Sequence, residues 1–257
     1  MNTRFSFCGL FHPRTCYIAT ILMAALGWSI SGFCAPIHDA AQQGDLAQVR
    51  ALLQTNPRSV ASRDNDGNTP LHLAAMGGFV DVAELLLFYE SDINARNGEQ
   101  DTPLHLAARL GKGKMVELLL NRKAEASLKD SGGYTPLHLA AIDGFTDVVS
   151  LLLTHRADIN AKDTEGDTPL QLATRMGQAD TVKFLLLHKA DIDAANEDGN
   201  TALHLASSGD HPEVVELLLA GKCKINTRNN IGRTPLDLAR QSGNADVVAI
   251  LTKHGGH

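Results

Sequence analysis

Eleven histidines are spread along the 257 residues, and a side chain that binds metals or moves protons near neutral pH is the first place to look for chemistry. Four of them, His72, His105, His138 and His204, occupy the same place in a recurring segment. A single zinc ion needs its ligands within about 2 Å of one point, whereas side chains that recur once per packed helix are separated by roughly 8 to 10 Å. These four therefore predict no shared metal site. His254 and His257 flank Gly255 and Gly256 and could hold copper or nickel loosely, although a frayed tail is the expectation there. Asp64, Asn65, Asp66, Gly67 and Asn68 look like the start of a calcium loop, but the glycine is fourth rather than sixth and no closing Glu follows, so turn chemistry accounts for them. Cys223 is the one cysteine after Cys34. It can form no internal disulfide in that part of the chain and is expected to be a buried, inert thiol. Motifs for a nucleophile elbow, a zincin helix, a CxxC pair, a Walker loop or a dinucleotide fingerprint are absent from the repeats. No catalysis, metal or cofactor is predicted.

The elements that carry these residues follow one spacing. Thr69, Pro70, Leu71, His72, Leu73, Ala74 and Ala75 return almost unchanged, and the anchor threonines Thr69, Thr102, Thr135, Thr168, Thr201 and Thr234 are evenly spaced with no insertion between them. Within a unit Thr69 suits a helix N-cap and Pro70 the first helical position, where its missing N–H costs nothing; Thr102 and Pro103, Thr135 and Pro136, Thr168 and Pro169, and Thr234 and Pro235 repeat the pair. A short first helix ends at Gly78 in a left-handed turn, and Val82, Leu85 and Leu86 make the apolar stripe of a second. One helix pair cannot bury its own apolar face, so stability must come from stacking, with Ala74, Ala107, Ala140, Ala173, Ala206 and Ala239 at the contacts.

The period and the TPLHLAA segment resemble the ankyrin-repeat family over residues 36 to about 254. The resemblance implies an all-α solenoid of helix-turn-helix units with projecting turns, in which the recurrent His hydrogen-bonds within the turn framework and orients neighbouring units. The expected organisation is a signal segment at 1–34, a degenerate capping repeat at 35–65, repeats at 66–95, 99–128, 132–161, 165–194 and 198–227, and a C-terminal capping repeat with a tail at 231–257. Departures fall at Gln171 and Asp237 in place of His, Ala202 in place of Pro and Asp210 in place of the inter-helix Gly, which predicts weaker fifth and sixth repeats. Polar Asp237, Arg240, Gln241 and Ser242 suit a terminal cap.

The start of the chain, from Met1 to Cys16, carries Arg4 and Arg14 and no acid, and Tyr17 through Ala35 carries no charge, the pattern of an export signal. Cleavage after Cys34 is favoured over cleavage after Ser31; Phe33 stands where a lipoprotein signal needs a small residue. An uncleaved stretch of this length could instead anchor the chain in a membrane. The net charge is −6, and removal of the leader leaves 21 basic against 29 acidic residues, or −8, which does not suit nucleic acid. Lys123, Arg156, Lys189 and Lys222 form a cationic row at helix C-termini, where the helix dipole favours them. Arg63, Arg96, Lys129, Lys162 and Arg228 form another beside acids and read as a solvated face.

Positions that vary between units are free to encode a partner. The family resemblance places the ends of the first helices on the concave side, where Arg109, Leu110, Ile142, Arg175 and Met176 vary; with Tyr134 at a turn tip they make the candidate protein-binding patch. The expected function is a non-catalytic interaction scaffold or inhibitor outside the cytoplasm, periplasmic or secreted, as in bacterial exported ankyrin proteins. The alternatives are a membrane-anchored adaptor and a secreted effector that binds a host protein. The expected partner is another protein, with a membrane contact only if the leader stays attached. Replacing Tyr134 and Arg175 by Ala is expected to weaken capture with little loss of stability.

Overall fold

The structure, a computed structural model, describes residues 36–257. The expected leader, its cleavage sites and its anchor alternative lie outside the described residues.

The repeating period becomes a series of helix pairs. First helices are α1 (Pro36–Gln43), α3 (Pro70–Gly77), α5 (Pro103–Arg109), α7 (Pro136–Ile142), α9 (Pro169–Arg175), α11 (Ala202–Ser208) and α13 (Pro235–Ser242). Second helices are α2 (Leu46–Thr55), α4 (Val80–Phe88), α6 (Gly113–Asn121), α8 (Thr146–Thr154), α10 (Ala179–Leu187), α12 (Pro212–Ala220) and α14 (Ala245–Lys253). A 3-10 turn, Pro57–Ala61, follows α2. Among the described residues there is no strand, and no helix is long and apolar enough to cross a membrane.

Each Thr opens its first helix through a capping box with the residue three positions on. The alanines at 74, 107, 140, 173, 206 and 239 are fully buried, and their small side chains let the first helices stack directly. Leu86, Leu119, Leu152, Leu185, Leu218 and Leu251, also fully buried, fill the space between first and second helices. Gly78 takes φ 74° to end α3; at the same place in its unit Asp210 takes φ 56°, a conformation that strains any residue with a Cβ.

The turns between units form a second stack beside the helices. In each, an Asp or Asn folds its side chain back on the loop: Asp64 Oδ1 accepts the N–H of Asp66 at 3.0 Å and of Asn68 at 2.7 Å, and Asn97, Asp130, Asp163, Asn196 and Asn229 do the same. Successive tips are tied by backbone bonds, Gly98 N–H to the Asp66 carbonyl at 2.8 Å and so on through Asn230 to Asp198 at 3.0 Å.

Three features add to the sequence reading or depart from it. Arg96, Lys129 and Lys162 are not simply solvated: each spans to the backbone carbonyl at the matching position of the next unit, Lys129, Lys162 and Ala195, at 2.9, 2.7 and 2.9 Å, and Arg63 reaches the Arg96 carbonyl in the same way. Lys123, Arg156, Lys189 and Lys222 all lie in the left-handed region, φ 63° to 68°, where glycine would be unstrained. The C-terminal tail is docked rather than frayed. The His257 N–H donates to Asn226 Oδ1 at 3.0 Å, the bond that Glu125 and Asp191 make to Asn94 and Asn160 further up the stack.

Candidate protein-binding face

The recurrent histidines set the geometry of the turns. His72 Nδ1 accepts the Thr69 N–H at 3.1 Å, which fixes the ring proton on Nε2, and Nε2 donates to the Asp101 carbonyl of the next turn at 3.0 Å. His105 binds Thr102 and the Tyr134 carbonyl, His138 binds Thr135 and the carbonyls of Ala161 and Asp167, and His204 binds Thr201 and the Arg233 carbonyl. All four are fully buried. Burial holds His72, His105 and His138 down at about 4, and burial also lowers His204. These rings are neutral donors committed to carbonyls, and no group of three or more metal-ligating side chains assembles among the described residues.

The departures from His are chemically matched. Gln171 accepts the Thr168 N–H on Oε1 at 2.9 Å and donates from Nε2 to the Asn200 carbonyl at 2.8 Å, so both bonds survive. Asp237, in the last unit described, accepts the Thr234 N–H at 3.0 Å, and its carboxylate offers no donor in place of the His Nε2. Cys223 is buried, and burial pushes its thiol up to about 11, far from thiolate chemistry at neutral pH.

The variable face lies where turn tips meet the ends of the first helices. Between neighbouring turns the foot residue of one meets the Asx residue of the next: Asn97 Nδ2 donates to Asn68 Oδ1 at 2.9 Å, Asn196 to Asp167 at 2.8 Å and Asn229 to Asn200 at 2.8 Å. This ladder changes in the two middle positions. Asp101 and Asp130 bring two carboxylates together, and Arg109 reaches both, 3.4 Å from Asp101 and 3.7 Å from Asp130. Asp101 is fully buried and its Oδ2 accepts no hydrogen bond, despite lying within ion-pair distance of Arg109. Burial raises its carboxyl to about 6, against the pull of Arg109 and with a push from Asp130. At the next position Tyr134 replaces the polar foot, and Asp163, 8% exposed, keeps Oδ2 buried with no hydrogen bond. Burial raises the Asp163 carboxyl as well.

Of the six patch residues, Arg175 is ion-paired to fully buried Asp167 and stands 3.9 Å from exposed Glu165, and Arg109 is engaged as above. Their guanidinium groups brace the turns from the helix ends. Met176 is 52% exposed, while Leu110, Tyr134 and Ile142 are partly exposed. Because Arg175 touches Glu165, helix end and turn tip form one continuous surface. Arg175→Ala would strand Asp167 in the interior, so a loss of binding on that change would not isolate contact with a partner. Asp101 and Asp167 read from sequence as variable tip residues, and Asp130 and Asp163 as acids beside the basic row; what sequence reasoning missed is the burial of all four carboxylates. A signal was present for two of them: an Arg follows the foot Asp two helical turns on in two units, Arg109 after Asp101 and Arg175 after Asp167, and where the foot is Tyr134 the matching residue is Ile142.

A stack of helix pairs whose units are tied through buried histidines and turn bonds defines a repeat solenoid, a scaffold class. The chain belongs to the ankyrin-repeat family: the family model for ankyrin repeats (3 copies) matches residues 37–130, 104–196 and 186–257. The chain is similar to the ankyrin repeat domain of human ASB11, with TM-score 0.80 and 29% identity over 87% of this chain and 99% of that one. Relatives with shorter matches include ankyrin repeat domain-containing protein 49 of Drosophila melanogaster, 46% identical over 50 residues, 20% of this chain and 23% of that protein. Serine/threonine-protein kinase VIK of Arabidopsis thaliana is 49% identical over 47 residues, 18% of this chain and 11% of that protein. The chain thus covers under a quarter of the length of these two relatives, and their activities belong to them. Ankyrin repeats make this a protein-interaction scaffold of a fold that is generally non-catalytic.

Proposed function

We propose that the chain is a non-enzymatic scaffold or inhibitor that captures one protein partner on the face around Tyr134, Ile142 and Met176, outside the cytoplasm. One observation supports the choice of face. On the turn after Tyr134 the Asp163 Oδ2 is buried with no hydrogen bond, and local rules broken in this way concentrate at functional sites. What the chain gains at Tyr134 is an aromatic ring, the side chain most enriched among interface anchors.

The location rests on the composition of residues 1–35, a basic start followed by an uncharged apolar stretch. A periplasmic or secreted protein of bacterial origin is the favoured reading, and a membrane-anchored adaptor is the second. Mass spectrometry of the mature N-terminus separates them: a chain that starts at Ala35 rules out the anchor, and an intact leader rules out cleavage. The face is tested by crosslinking capture from the native compartment with Tyr134→Ala/Ile142→Ala beside the unaltered chain. Loss of one specific crosslinked protein supports the face, and an unchanged set overturns it.

A further inference from the structure

We infer that the segment captured at Tyr134 and Ile142 is cationic on one side: an apolar anchor followed by Lys or Arg residues that meet Glu165, Glu197 and Asp198. This inference rests on the face proposed above and adds the chemistry of its occupant.

The surface around the patch is acidic, and its own cations are already engaged. Glu165, Glu197 and Asp198 are exposed and lie on the two turns after Tyr134. Glu197 and Asp198 form no ion pair among the described residues. Glu165 has only Arg175 at 3.9 Å, and that guanidinium sits much closer to buried Asp167. Arg109 is held between Asp101 and Asp130. The nearest basic row does not cover the tips either, because Lys162 spans away to the Ala195 carbonyl. Cations return in the last turn at Arg228 and Arg233, and on the turns before Tyr134 the exposed tip acids are Asp66 and Glu99, the latter already taking a hydrogen bond from Ser131 at 3.4 Å, so Glu165, Glu197 and Asp198 make the denser acidic flank of the patch. An anionic partner would be repelled there, whereas a neutral one would bring no countercharge to these carboxylates.

The spacing sharpens the prediction. Stacked units are separated by roughly 8 to 10 Å, and an extended strand advances about 3.3 Å per residue. A segment laid across the units with its anchor at Tyr134 would therefore meet Glu165 about three residues on and the Glu197 and Asp198 pair about six residues on.

The probe is a phage-displayed library of random dodecapeptides selected on the immobilised full-length chain at low salt. The expected sequences carry Phe, Leu or Met with Lys or Arg about three and six positions to one side, and few acids. The exposed, isosteric variant Glu165→Gln/Glu197→Gln/Asp198→Asn should bind them about tenfold more weakly, and raised salt should shrink that difference. Tyr134→Ala/Ile142→Ala should lose them altogether. Apolar peptides with no excess of Lys or Arg, bound equally by the triple variant and insensitive to salt, would overturn the cationic assignment and leave the face in place. Peptides retained by Tyr134→Ala/Ile142→Ala, or failure to select any, would overturn the face itself. The salt response of the unaltered chain reads the charge term without any variant having to fold.

Discussion

Arg109, at the end of one helix, holds the carboxyl of Asp101, at the foot of the preceding turn, at 3.4 Å, and with its second nitrogen approaches Asp130 of the following turn at 3.7 Å. One partly exposed cation thus permits two carboxylates to face each other at a place where three other turn pairs use an Asn. Removing one member of such a buried group leaves charge without compensation. Arg109→Met is expected to lower stability by about 2 to 3 kcal/mol at neutral pH, and by less than about 1 kcal/mol in an Asp101→Asn background. Urea unfolding of the four proteins measures the coupling. Burial already holds Asp101 up at about 6, so its ionised form is disfavoured on folding. Its contribution is most favourable below the unfolded value and declines as pH rises through 6, which means the penalty of Arg109→Met shrinks toward acid pH.

The histidines titrate with the opposite consequence. His72, His105 and His138 are held by burial at about 4, below the unfolded value of about 6.5. Between those limits the unfolded chain binds protons that the folded chain does not. Their stabilising contribution is therefore full above about pH 6.5 and is lost as pH falls toward about 4. Each ring carries up to about 3 kcal/mol of this dependence, which outweighs Asp101. The midpoint of urea unfolding should fall steeply over that interval, and replacing the three by Gln should flatten the slope, because Gln171 shows that an amide makes both bonds. A pH-independent midpoint in the unaltered chain would contradict the neutral form assigned to all three.

Gln171 makes the same point without titration. Gln171→His should be neutral within about 1 kcal/mol, whereas Gln171→Leu removes an acceptor from the Thr168 N–H and a donor from the Asn200 carbonyl and should cost about 2 to 3 kcal/mol. Thermal unfolding of the pair distinguishes a matched substitution from a defect. A gain in stability from Gln171→His would uphold the expectation from sequence that loss of His weakens the fifth repeat.

Lys123, Arg156, Lys189 and Lys222 occupy a left-handed backbone. Lys189→Gly should raise stability by about 0.5 to 1 kcal/mol, relief of the Cβ clash exceeding the lost attraction to the helix dipole. A fall in melting temperature would show that the cation contributes more than its conformation costs.

The fold could be read from the chain because its determinants are local: Thr69 caps, Pro70 starts and Gly78 stops, all within one short stretch that repeats. The ties between units were hidden for the same reason. Arg96 bonds the Lys129 carbonyl one whole unit away, and which of its many exposed rotamers does so depends on turns already stacked. His257 docks on Asn226 because the last helix brings it there, and composition near a chain end carries no sign of that. At the face, the alternation of Asp with Arg and Tyr with Ile was visible as a pattern, but the burial of Asp101 and Asp163 is a property of adjacent turns.

Tyr134 tests whether stability has been exchanged for recognition. In three other positions of the ladder an Asn side chain completes the bond between turns, while Asp163 Oδ2 lacks a donor. Tyr134→Asn supplies an amide of the kind found at the feet Asn68 and Asn200, on the turn that faces that oxygen. It should raise stability by about 1 kcal/mol through satisfaction of a buried acceptor, offset in part by the lost contacts of the ring. The same change removes the aromatic anchor and should abolish capture of the partner. Stability and binding then move in opposite directions in one variant, which a scaffold position could not produce. If stability falls and capture persists, Tyr134 belongs to the framework and the interaction face lies elsewhere on the stack.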